Sequence, residues 1–186
     1  VYYNKSLKKY LDDMAARMPT PGGGSAAAFS AAMGASLLSM VVRFTEGKPN
    51  YVQYAAELRE ILKISERLRN DFLGLVDLDI KAYRSKDLRK ALDVPFMVCR
   101  LSCDALKLCP DLAKKGNVNL ISDVAVAAAL LEAAFMSSCF NVEINLKCLN
   151  DEVFAVKIKQ ELEETMKQVK QLRFETEVLV GQIIRG

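Results

Sequence analysis

Two stretches of this chain have almost no polar side to offer water. The first follows Ser25 and includes "AAAFSAAMGASLLSMVV", running to about Glu46; the second runs from Val124 to Phe140, broken only by Glu132. A helix that is apolar nearly all round belongs at the centre of a bundle. Ala31, Ala32, Gly34, Ala35, Ser36 and Ser39 would also let neighbouring backbones approach the first of them closely. The second is short for a membrane span and rich in Ala and Ser, so it reads as a buried core helix. Helices this hydrophobic need more cover than a few neighbours give, and self-association as a homodimer or higher oligomer is expected.

The remaining pattern is helical as well. Ser6 can cap a first helix carrying Leu7, Tyr10, Leu11, Met14 and Met18 at helical spacing, ended by Pro19 and Pro21. Ser25 is the expected cap of the second helix, which Gly47 and Pro49 stop. A third helix should start near Asn50, with Leu58, Ser65, Phe72 and Asp79 recurring every seven residues along one stripe. Pro95 is expected to open or kink a fourth helix that Pro110 interrupts and Lys114–Gly116 ends. Asp123 can cap a fifth reaching roughly Leu149, and a last helix begins around Asp151. No alternating β-branched run competes. The expected fold is an all-α, multi-helix bundle with two central buried apolar helices, a single domain over residues 1–186.

Composition narrows the chemistry. Lys and Arg number 26 against 23 Asp and Glu, near balance, so no nucleic-acid partner is expected. There is no histidine, which removes the commonest general base and metal ligand. The cysteines Cys99, Cys103, Cys109, Cys139 and Cys148 match no common zinc spacing and read as free thiols of a reducing compartment. The N-terminal "VYYNKSLKKY" lacks the basic region and hydrophobic run of a signal peptide. A cytoplasmic protein without metal or membrane partner is the expectation.

Three constellations could carry chemistry. "GGGS", Gly22 to Ser25, lacks the lysine of a phosphate loop, yet bare glycines before a helix expose free N–H groups. A tight helix–helix connection explains the same tripeptide, and the loop alone leaves both readings open. Asp77 and Asp79 point roughly 200° apart on a helix, so they cannot both face the core. Asp79 continues the packed stripe, where it either bonds a neighbouring helix end or a Lys, or, desolvated, has a raised pKa that suits it to proton transfer. Asp77 is expected to be solvated or capping. Glu132 is the other carboxylate in an apolar helix, with pairing across a subunit interface as one outlet. Asn141 and Asn145, one turn apart, can satisfy backbone groups or read a polar ring.

Taken together, "PTPGGGSAAA", "SMVVRFTEGKPNY", "LVDLDIKAY", Val94-Pro95, "GNVNLISDVAVAA" and "NVEINL" resemble, in order and spacing, the formiminotetrahydrofolate cyclodeaminase / methenyltetrahydrofolate cyclohydrolase family. The resemblance covers the chain from about Ser6 to its C-terminus. It implies an all-α, dimer-forming fold that forms or opens 5,10-methenyltetrahydrofolate, with the tetrahydrofolate derivative as substrate and no cofactor. It also implies that Asp79 is the acid–base aspartate and that Gly22, Gly23, Gly24 and Ser25 line the folate site. Lys48 would meet an anionic part of the substrate, and Asp123, Asn141 and Asn145 match later substrate-binding motifs. Relatives carry a longer segment where only "RSKDLRKALDV" separates Tyr83 from Pro95 here. The alternative is a catalytically silent folate-binding or scaffold oligomer on the same fold.

Overall fold

The computed structural model describes residues 2–186 and leaves only Val1 of the N-terminal decapeptide outside. Among the described residues no strand forms, and the chain runs through seven α-helices: α1 (Leu7–Ala15), α2 (Gly23–Thr45), α3 (Ala55–Ser85), α4 (Leu88–Leu106), α5 (Cys109–Lys115), α6 (Ile121–Leu149) and α7 (Glu152–Arg185). The helix starts differ from expectation at two polar residues. Gly22 is the N-cap of α2, and Ser25 sits inside the first turn. Leu120 precedes α6, so Asp123 falls within its first turn and caps nothing. Ser6 and Asp151 do cap their helices, each accepting a backbone N–H.

Proline positions bring further corrections. α1 ends at Ala15, short of Met18. A 3-10 segment, Pro49–Tyr54, precedes α3 and delays its start beyond Asn50. The segment after Tyr83 is a tight turn. Lys86 takes the left-handed conformation with φ 58°, and Asp87 caps α4 by accepting from the N–H groups of Arg89 and Lys90. Pro95 therefore lies inside α4 rather than opening it. A proline removes one helical donor, which frees the carbonyl four residues earlier, here Ala91. Asn145 on α6 replaces the lost bond: its amide nitrogen donates to Ala91 O at 2.7 Å.

α2 and α6 hold the centre. α3 lies antiparallel to α2, pinned by Ser25 Oγ to Val76 O at 3.1 Å and by Ser39 Oγ to Ser65 Oγ at 2.8 Å. α6 lies antiparallel to α2 on another side. A Cβ on Gly34 would come within 2.8 Å of Leu131 Cγ and 3.1 Å of Ala127 O, so this approach needs glycine. α4 packs antiparallel to α6, with Cys99 and Cys139 in sulfur contact at 3.8 Å. α7 closes the far side through Arg100 and Glu161, and through Arg173, whose Nε lies 3.3 Å from Glu132 Oε2. Glu132 thus has a cationic partner within its own chain. Phe72, Phe135, Leu38, Leu131 and Leu106 are fully buried, each contributing about 1.5–3 kcal/mol of transfer free energy. Both α2 and α6 are long and apolar enough to cross a membrane; in the bundle, their most apolar windows are 61% and 39% buried respectively.

Candidate functional site

The N-terminus of α2 is bare by construction. The first N–H groups of any α-helix lack intrahelical acceptors. Gly22 supplies no capping side chain, so the Gly23 and Gly24 N–H groups gain no acceptor from the cap. Thr20 and Arg84 hold the entry to the loop, with Arg84 Nη2 donating to Thr20 Oγ1 at 3.2 Å.

α3 delivers Asp79 onto this end. A Cβ on Gly24 would sit 2.2 Å from Asp79 Oδ1 and 2.8 Å from Cγ, so the carboxylate occupies the space a side chain would take. Burial pushes the Asp79 carboxyl above the ordinary aspartate range, and the Ser25 backbone N–H it accepts opposes that shift only in part. The result is a carboxylate touching helix donors, half-buried, with no cation contributing to its ionisation.

Asn141 arrives from α6 on the other side of the glycines. Its Nδ2 lies 3.6 Å from the Cβ position of Gly23 and donates to Ser137 O at 2.9 Å. Gly22, Gly23, Gly24, Ser25, Asp79 and Asn141 therefore share one end of the bundle, with three helices each contributing. Asn145 lies one turn further along α6, its amide nitrogen committed to Ala91.

Lys48 and Asp123 lie elsewhere. Lys48 is exposed beyond the C-terminus of α2, at the N-cap of the 3-10 segment. The 23 residues of α2 separate it from the glycines by about 33 Å at 1.5 Å per residue. Asp123 begins α6 at that same distant end. There Asn117 N donates to Thr45 Oγ1 at 2.9 Å and Asn117 Nδ2 to Phe44 O at 3.3 Å.

Asp77 overturns its expectation. It is only 8% exposed and neither solvated nor capping a helix: its two oxygens accept the backbone N–H groups of Tyr2 and Tyr3. Sequence reasoning also passed over Tyr10. Ser25 donates its hydroxyl to Val76 O, so Tyr10 must donate its own to Ser25 Oγ, 3.0 Å away. Burial, with Asp79 and Asp77 nearby, raises the Tyr10 pKa. This chain bolts α1, α2 and α3 together directly behind the aspartate. An aromatic on the inner stripe of α1 was the only prior sign of it.

Comparison with known proteins decides the family. The formiminotransferase-cyclodeaminase family model matches residues 6–86 and 84–164. The chain belongs to that family. The two matched segments meet at the turn after Tyr83. A methenyltetrahydrofolate cyclohydrolase from Methylorubrum extorquens is 37% identical, the match covering 86% of this chain and 88% of that protein. The formimidoyltransferase-cyclodeaminase of Rattus norvegicus is 29% identical over 89% of this chain, which spans only 35% of that longer protein. A crystal structure of formiminotetrahydrofolate cyclodeaminase from Thermotoga maritima superposes with a TM-score of 0.91 at 34% identity, covering 99% of this chain and all of the other.

Proposed function

We propose that this protein is a one-carbon folate enzyme that forms or hydrolyses 5,10-methenyltetrahydrofolate, with Asp79 as its acid–base group. The observation that carries the reading is the Asp79 carboxylate lodged on Gly24 at the bare N-terminus of α2. The names of the relatives support the substrate class.

In the hydrolytic direction, the carboxylate takes a proton from water as the oxygen adds to the amidinium carbon. It returns that proton to N5 as the carbon–N5 bond breaks. The remaining hydroxyl proton leaves to solvent as the formyl carbonyl forms on N10. In the cyclodeaminating direction N10 attacks the formimino carbon, loses its proton to Asp79, and the departing nitrogen gains a proton and leaves as ammonia. A raised pKa suits a group that must both accept and return a proton near neutrality. Ionised, the same carboxylate stabilises the cationic methenyl group across a short distance. Asn141 and the open glycine donors are placed to orient the pterin edge or its carbonyl.

The similar-length cyclohydrolase relative makes methenyl hydrolysis the first activity to assay. The protein is offered 5,10-methenyl- and 5-formiminotetrahydrofolate in parallel, following loss of the methenyl chromophore and release of ammonia. Turnover of either substrate is expected, and turnover of neither favours the silent folate-binding bundle.

A further inference from the structure

The five thiols take no part in the proposed chemistry, and two of them touch. Cys99 on α4 and Cys139 on α6 are both buried and bring their sulfurs to 3.8 Å across 40 residues of chain. The other three stand apart. Cys109 is sealed in the core, where burial pushes its thiol up to about 12, and it donates to Ala105 O. Cys103 donates to Gln168 Oε1 at 3.2 Å, and Cys148 is exposed. A metal does not explain the touching pair: among the described residues no group of three Cys, Asp or Glu side chains could hold one.

The two thiols differ in what they can reach. Cys99 is fully enclosed, with its Sγ also 3.7 Å from Phe135 O. Cys139 lines a hollow of about 770 Å³ between the end of α6 and the start of α7, together with Phe140, Glu143, Lys147 and Leu162. Hydrogen peroxide is little larger than water, which occupies ~30 Å³ in the liquid, so it has ample room there. Cys139 is also the first of the pair to ionise. When it does, the Cys99 S–H turns to the Cys139 sulfur and holds that thiol below the ordinary cysteine range, against burial and Glu143 one turn on. Cys99 is pushed upward by the same neighbour and by burial, and keeps its proton. A thiol that ionises, faces a hollow and has a second thiol behind it has the makings of an oxidisable cysteine.

We infer that Cys139 and Cys99 form a reversible oxidation site, in which peroxide entering the α6–α7 hollow converts the pair to a disulfide joining α6 to α4. The Cys139 thiolate attacks one peroxide oxygen, the O–O bond breaks, and the departing hydroxide takes up the proton Cys139 released. The Cys99 sulfur then attacks the sulfenic sulfur, and its proton leaves with the hydroxyl as water. Two thiols and one peroxide give one disulfide and two waters, the sulfurs losing two electrons to the peroxide oxygens.

The sulfurs must close from 3.8 Å to about 2 Å. α4 can yield, because it lacks the helical bond at Pro95, one turn before Cys99. The yielding segment is the one that Asn145 holds through Ala91, one turn from Asn141. Closure also draws α6 toward α4, away from α2 and from the Gly23 that Asn141 flanks. The bond thus misplaces Asn141 and, resting on the proposed function, lowers folate turnover.

The test uses the full chain carrying Cys148→Ser, which removes the exposed thiol. It is treated with hydrogen peroxide, alkylated and digested. Non-reducing mass spectrometry is expected to find the Cys99 and Cys139 peptides joined, and separate again after dithiothreitol. Peptides that stay unjoined, or a Cys139 that passes to sulfinic acid beside an intact Cys99 thiol, overturn the site. Turnover should fall at least ~10-fold on oxidation and return with reductant. Cys139→Ala should keep its turnover under the same peroxide. An oxidised chain of full activity, or equal loss in Cys139→Ala, overturns the control of turnover. A chain without folate turnover before oxidation refutes the functional reading instead, while the joined peptides still judge the thiol pair.

Discussion

Asp77 and Asp79 stand two residues apart on α3 and live in opposite surroundings. Asp77 is almost fully buried, and its oxygens are taken by the Tyr2 and Tyr3 N–H groups, so it ties the N-terminal segment to the bundle. Asp79 is half-exposed, holds the Ser25 N–H and presses on a glycine with room for nothing else. The more buried carboxylate is the structural one. Desolvation alone does not mark a functional acid; a desolvated acid that keeps a solvent face and incomplete pairing does.

The hardest test of that contrast is Asp79→Asn. Turnover should fall by ~10²–10⁴-fold while the fold persists. Stability should move the other way. The folded Asp79 pKa lies above its unfolded value, so its contribution is fully present below the unfolded pKa and is lost as pH rises through the folded pKa. The variant should therefore melt higher than wild type near neutral pH, and the two melting curves should converge on acidification. An Asp79→Asn chain with wild-type rates would erase the distinction between the two aspartates.

Gly24→Ala probes the same site from the opposite helix. The added methyl displaces a flexible carboxylate rather than backbone, so rate should drop at least ~10-fold with melting temperature little changed, alanine being the better helix former by about 1 kcal/mol. Equal loss of rate and stability would make the contact merely structural. Asp77→Asn should do the reverse. One of two buried N–H groups loses its acceptor, at about 1–3 kcal/mol by denaturant titration, with kcat retained in the folded fraction.

The pH profile sharpens the comparison further. The hydrolytic rate should rise with pH through an apparent pKa above the usual aspartate range, and Asp77→Asn should leave that limb where it is. Smallest of all, Asn145→Ala should cost about 1 kcal/mol through the Ala91 carbonyl that Pro95 leaves unpaired. If it instead raises KM without loss of stability, Asn145 belongs with the substrate residues.

The helices themselves were legible in the residue pattern, because burial imposes its period locally: the apolar centre, the Ser6 cap, the helix start near Asp151 and the Pro110 break stand where the chain places them. Asp79 was legible too, as the polar member of a packed stripe. The caps at Ser25 and Asp123 were not, nor was the burial of Asp77. A hydroxyl or carboxylate on a helix takes whichever partner the tertiary fold brings nearest. For Ser25 that was Val76 and Tyr10, and for Asp77 it was the N-terminal backbone.

Sequence alone determined that this chain must be a helical bundle around two apolar helices, since period and composition act residue by residue. Only the tertiary structure decided that Gly24 and Asp79, 55 positions apart in the chain, are in contact while Lys48 and Asp123 stand at the far end of α2. Distance along a rigid helix and the antiparallel packing of α3 and α6 set those positions, and neither is written in any local run of residues.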